Sequence, residues 1–283
     1  KWFVLILLVM VFSLPLSWEN TLQAFQIQVY FSLGCALISL STLPTCKFWS
    51  LCSFIGIIMA FSGIPSLSAA FAPPASILFV RNIHAYRIRK WDKNDIIISI
   101  ICLVVFVISF LSIHPTPGHQ PLHAKSFLQF INFFIQVCSI PFHNENLLLR
   151  PFIAICIQIP FLVFVFHLFK RKDKIWKKHE ITLFALGIWL FLQAFAISYS
   201  RGNSDIGIRH LDTFFLFIIL NACSLAYLKK IKSGFCKSKI NNVSAVWITL
   251  VIIGILSFSN REINHTLVNN PHKWQTMKQH IKA

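Results

Sequence analysis

Negative charge is scarce in this sequence: nine Asp and Glu stand against 26 Lys and Arg in 283 residues. All charged residues together make up 12% of the chain, about half the quarter that a soluble domain uses to cover its surface. The rest is apolar, 56% hydrophobic with 29 phenylalanines, and it comes in runs rather than in alternation. These shortages exclude a soluble enzyme and a disordered tail. The formal charge of +17 would suggest nucleic acid in a soluble chain. Here the cations sit in short clusters between apolar runs, where they act as topology signals, so no nucleic-acid partner is expected. Also missing are CxxC, GxGxxG, P-loop, HExxH and zinc spacings, internal repeats and any separate soluble domain. The eight cysteines lie mostly in apolar runs and read as small packing residues. The chain begins at Lys1, within an apolar run and with no small-residue cleavage site after it, so we expect an N-terminal part to be missing.

A spanning helix needs about 20 mostly apolar residues. The candidates are 2–16, 24–43, 48–62, 65–80, 95–113, 150–169, 181–199, 212–228 and 243–258. The basic clusters 81–93, 170–178 and 229–239 are expected in the cytoplasm by the positive-inside rule. Residues 95–113 then end outside and 150–169 start outside, so 127–142 does not cross. At 1.5 Å per residue that stretch reaches only about 24 Å, short of the roughly 30 Å hydrocarbon core. Gln129, Asn132 and Gln136 share one helical stripe on it. It reads as a re-entrant or interface-lying helix on the outer side. The fold class expected is all-α: a polytopic transmembrane bundle of about nine spans (residues 1–258) plus that outer helix. A polar tail, 259–283, follows on the outer side. Pro73 and Pro74 should kink the helix 65–80.

Unusual residues collect on the expected outer face. Glu19, Gln23, Gln26 and Tyr30 share one helical stripe. Such a stripe faces either a polar cavity or a neighbouring helix, in interhelical hydrogen bonds worth ~0.6 and up to about 2 kcal/mol each. Glu19 is its only carboxylate; it suits a general base, a metal or sugar ligand, or a helix N-terminal charge. The loop Tyr199–Asp212 carries Arg201 and Arg209, two forks of donors that match phosphate oxygens. The alternative partners are Asp205 for Arg201, and Asp212 or lipid headgroups for Arg209. Gly202 would let backbone approach a ligand closely, and His210 directly follows Arg209. His114, His119 and His123 lie among Pro115, Pro117 and Pro121; their spacing fits no zinc frame, and a flexible outer loop is the better reading. Trp2, Trp18, Trp49, Trp91, Trp176 and Trp274 fall near span boundaries, as amphipathic rings prefer.

At these residues the sequence resembles the C-type (GT-C) glycosyltransferases, multi-pass bacterial inner-membrane proteins that use polyprenyl-phosphate sugars. The stretches that carry the resemblance are Ser17-Trp18-Glu19-Asn20 with Phe25 to Phe31, then Phe61-Ser62-Gly63, then Tyr199-Ser200-Arg201-Gly202 with Arg209-His210. The chain departs from the related pattern at His210, where a Tyr more often follows the Arg. The resemblance implies an active site on the non-cytoplasmic face and transfer of a sugar from a lipid-phosphate donor to a glycan or lipid acceptor. It also implies a catalytic Asp in an outer loop preceding the present residues, leaving Glu19 as a secondary candidate.

The expected function is therefore a multi-pass glycosyltransferase of the bacterial inner membrane. Gln23, Gln26 and Tyr30 would line the sugar or acceptor pocket. Tyr199, Arg201, Arg209 and His210 would meet the donor. No cofactor is assigned, a divalent metal is left open, and no metal ligands are named. The rivals are a lipid-linked-glycan flippase or transporter without catalysis, and an outer-face glycan ligase or polymerase in which His143 to Arg150 would matter more.

Overall fold

A computed structural model describes residues 27–42, 52–56, 68–91, 93–111, 117–142, 148–171, 175–203, 211–231 and 235–267. Among them every long element is an α-helix and none is a strand. In chain order these are α1 (Ile27–Thr42), α2 (Ser68–Ile88), α3 (Lys93–Leu111), α4 (Phe127–Cys138), α5 (Leu149–Lys170), α6 (Lys178–Arg201), α7 (Leu211–Ile231) and α8 (Phe235–Leu267). A 3-10 helix, Pro117–Leu122, precedes α4. Three stretches are long and apolar enough to cross a bilayer: Leu149–Lys170, Lys178–Arg201 and Ile240–Asn260.

The distribution of polarity is that of a protein dissolved in lipid. On α5, Phe152, Ile155, Ile159, Leu162, Val163 and Phe166 are exposed. Buried positions meanwhile include Gln158, Glu180, Gln193, Ser198 and Asn221. Water would reverse that arrangement, because exposed apolar surface costs free energy there and buried polar groups gain nothing from it. In hydrocarbon, polar groups must find partners inside the protein.

The chain forms two compact units, whose boundaries fall within α4 and α5. One holds residues 25–134 and 160–205. In it α2 packs on α3 and α6, and α1 packs on α2 and α6. A phenylalanine ladder runs along α6. Phe130 meets Phe195 edge-on with centroids 4.5 Å apart, and Phe134 lies 6.5 Å from Phe191. Each step up α4 is a step down α6, so the start of α4 descends alongside α6. Phe161 presses on Gly187 of α6, where a Cβ would fall 2.0 Å from the ring.

The other unit holds residues 135–159 and 206–283. Here α7 packs on α8, with Phe215 and Phe258 edge-to-face. Gln158 Nε2 donates to the Cys138 carbonyl at 3.2 Å, and Asn221 Nδ2 donates to Gln158 Oε1 at 3.0 Å. Trp247 Nε1 donates to the Ile157 carbonyl at 3.0 Å. Gly254 lets the turn after α4 lie against α8, since a Cβ there would come 2.7 Å from Pro141 and 2.8 Å from Phe142.

Four expectations change. The helix expected over 65–80 runs instead from Ser68 to Ile88, through Pro73-Pro74, and takes Arg81 and Arg87 with it. Close to the helix start the two prolines remove donors for only two carbonyls, and Ser76 Oγ donates to the Pro73 carbonyl at 3.0 Å. The last helix is longer than the expected span 243–258: α8 runs from Phe235 to Leu267. At 33 residues α8 is about 50 Å long, well beyond the core thickness. Polarity sets where a helix leaves lipid, not where it stops. The proline-rich loop before α4 holds a 3-10 helix, Pro117–Leu122. Trp176 is not an interface anchor but is 3% exposed.

Candidate functional site

Of the residues singled out by sequence, Tyr199, Arg201, Gly202 and His123 fall at the Arg201 end of α6. That helix has 24 residues, so its ends are about 36 Å apart, and Lys178 lies at the other. Tyr199 and Arg201, expected in a loop, are in its last turn. A cation there meets the partial negative charge of the helix C-terminus. Tyr199 is exposed and Arg201 half-buried.

The segment preceding α4 is stitched to this end. Ala124 N–H donates to the Tyr199 carbonyl at 2.9 Å, and Asn203 N–H to the Leu122 carbonyl at 3.0 Å. Asn203 Nδ2 donates to the Pro121 carbonyl at 2.9 Å, and Gln129 Nε2 to Asn203 Oδ1 at 3.3 Å. Gly202 does allow a close approach, but of protein: a Cβ would meet Ala124 at 2.6 Å. The start of α4 is capped in turn. Ser126 Oγ accepts from Gln129 N–H, and Gln129 Oε1 accepts from Lys125 N–H at 2.8 Å. His123 lies against the Tyr199 ring, centroids 5.5 Å apart. Nothing in the spacing of the sequence pairs these two; only the fold does. The result is a small polar mouth of Tyr199, Arg201, His123 and exposed Lys125, with cations and donors suited to an anionic group.

Most of the other predicted residues cannot be placed relative to this mouth, because they fall outside the described residues. Glu19, Gln23, Gln26, Arg209 and His210 lie outside the described residues, as do Phe61-Ser62-Gly63, His114 and His143. Tyr30 belongs to α1. Arg150 is half-buried in the first turn of α5. Among the described residues no three His, Cys, Asp or Glu side chains come together to hold a metal ion, and the described cysteines are free.

The Lys178 end of α6 holds a cluster that sequence reasoning missed, because its cations read as parts of two separate basic inner clusters. Glu180 is fully buried. Arg171 grips it with two bonds, Nη1 to Oε1 at 2.7 Å and Nη2 to Oε2 at 3.1 Å. Lys177 N–H donates to Oε2 at 2.7 Å, so the carboxylate also caps α6. Arg87 reaches from α2 to the Leu168 and Arg171 carbonyls, both at 2.7 Å. It thereby satisfies carbonyls that the end of α5 leaves open. Its guanidinium lies over Phe169 and Trp176 at 5.6 and 5.7 Å. Trp176 N–H donates to His84 Nε2 at 3.1 Å and the two rings stack. An imidazole nitrogen that accepts is unprotonated, so His84 carries its proton on Nδ1 in this arrangement. The cluster ties α2, the end of α5 and α6 together. One signal was available: Glu180 is a rare carboxylate, three residues after Lys177 at a helix start.

No protein-family model, curated protein or solved structure matches this chain. Its chemistry therefore rests on its own residues.

Proposed function

We propose that this chain is an integral membrane glycosyltransferase-like protein. It transfers a sugar from a polyprenyl-phosphate donor to a glycan or lipid acceptor on the non-cytoplasmic face of the bacterial inner membrane. The observation that carries the reading is the polar mouth of Tyr199, Arg201, His123 and Lys125. It lies at the end of a helix long enough to cross a bilayer, opposite that helix's lysine-rich start. In the proposed multi-pass layout of about nine spans, the lysine end is cytoplasmic and the mouth faces outward. Arg201, joined by Arg209, would neutralise the phosphate that the departing sugar leaves behind. Fixed charge in a water-poor site is the largest common source of rate enhancement. Glu19, Gln23, Gln26 and Tyr30 would complete the sugar or acceptor pocket, and His210 the donor contacts.

The test is transfer of radiolabelled sugar from polyprenyl-phosphate donors by the full-length protein in membranes. Transfer is expected, with Arg201→Ala lowering the rate about 10²–10³-fold, the usual loss for one stabilising donor. Absence of transfer with every common donor, together with unchanged surface glycans on gene deletion, overturns the reading. Movement of a lipid-linked glycan in proteoliposomes without covalent product would put a transporter in its place. Loss of polymer but not monosaccharide transfer in Arg150→Ala would point to a ligase or polymerase.

A further inference from the structure

The helices α2 and α3 frame an open groove of about 420 Å³, a volume in the roughly 300–1,000 Å³ range of small-molecule sites. Its walls are Leu78, Ile96, Ile100 and Leu103, and its polar points are Asn82 and Ser99. Trp91, half-exposed, stands at the mouth. Just beyond are Arg89, Lys90 and Lys93, all exposed. Asp92 and Asp95 share this stretch of sequence, so the local charge is positive by one.

Polarity is graded along the groove. Cations and an indole come first. Two hydrogen-bond donors lie one to two turns farther in, with Ser99 about 9 Å along the helix from Lys93. Beyond them are only aliphatic side chains. Ser99 Oγ is shut off from solvent and makes no hydrogen bond among the described residues. A hydroxyl left so in an apolar setting is costly.

The rim also carries backbone strain. Arg89 has φ 53° and ends α2 in the left-handed region. Its own N–H bonds the Tyr86 carbonyl and the Lys90 N–H bonds the Ala85 carbonyl, both at 3.2 Å. That is a Schellman end, whose left-handed residue is usually glycine. Arginine there costs roughly 1–2 kcal/mol of conformational energy that glycine avoids. A cation kept at the expense of helix-end stability marks the rim as a place where charge is used.

We infer that this groove binds one anionic phospholipid of the leaflet facing the basic clusters. Its phosphate lies among Arg89, Lys90 and Lys93, its ester region at Asn82, and an acyl chain along Ile96, Ile100 and Leu103.

The experiment is native mass spectrometry of the delipidated full chain, titrated in detergent with phosphatidylglycerol or phosphatidylcholine, with thermal unfolding measured in parallel. One phosphatidylglycerol per chain is expected to bind in preference to phosphatidylcholine. Each rim cation removed, in Lys90→Gln or Arg89→Gly, should weaken it roughly five-fold. Arg89→Gly is the discriminating variant: it should bind lipid less well while melting at the same or a higher temperature. Ile100→Trp, which fills the groove, should abolish the preference. If Ile100→Trp fails to fold, Lys90→Gln and Arg89→Gly decide alone. Equal retention of the two lipids would overturn the proposal, since that is ordinary annular lipid. So would undiminished phosphatidylglycerol binding by both rim variants, or displacement of the lipid by inorganic phosphate alone.

Discussion

Removing the guanidinium that grips Glu180 should be the most damaging single change at the lysine end of α6. In the native fold the carboxylate accepts two bonds from Arg171 and one from Lys177 N–H, with its side chain 1% exposed. Arg171 is less enclosed, at 20%. Arg171→Ala removes two of the bonds that hold a buried carboxylate, and stripping a partner from a buried charge costs about 3–5 kcal/mol. The lower part of that range applies, because one partner already reaches solvent. Glu180→Ala strands a different group. Arg171 can turn outward and can still donate to the Ile175 carbonyl, now at 2.6 Å. Its cost is mainly the lost helix cap, about 1–2 kcal/mol. The double variant should be more stable than Arg171→Ala alone, with a coupling of about 1–3 kcal/mol. Unfolding of purified protein in mixed micelles, titrated with SDS, measures all four corners of the cycle. A Glu180→Ala cost equal to or above that of Arg171→Ala would refute the reasoning. So would two single variants each within 0.5 kcal/mol of the parent, the usual spread for surface changes.

Gly187→Ala should destabilise the same unit by about 1–3 kcal/mol through overpacking, since the new methyl would meet the buried Phe161 ring; Phe161→Leu in the same chain should recover part of it in the same assay. In the other unit, Gln158→Leu should free the end of α4 by removing the donor to the Cys138 carbonyl. The stability loss should be near 1 kcal/mol, and Cys138, now buried, should react faster with a maleimide.

Much of the helical layout was legible because apolar run length and basic punctuation report directly on lipid. The runs 95–113, 150–169 and 181–199 differ from α3, α5 and α6 by only a few residues at each end. The ends were misjudged where composition changes before the backbone does. Arg81, Arg87, Tyr199 and Arg201 are polar enough to look like loop yet are good enough helix formers to continue the turn. The side-chain clusters were not legible. Arg87 and Arg171 belong to different basic runs, and Glu180 was not singled out from the sequence. Only packing of α2 against α6 makes a lock of them. His123 and Tyr199 likewise come from separate expected loops. The short helix 127–138 was legible because its length and stripe forbid a full crossing, whereas the Gln158–Asn221 relay behind it was hidden in two apolar runs.

Everything proposed about function depends on α6 carrying Lys178 and Arg201 to opposite faces of the bilayer. Both flanks offer exposed positions for labelling, Lys177 and Asn203. In a background with the eight native cysteines replaced, Asn203→Cys should react in intact cells with a membrane-impermeant maleimide. Lys177→Cys should react only after the cells are opened. Labelling of both from the same side, or of 177 alone from outside, would contradict the account.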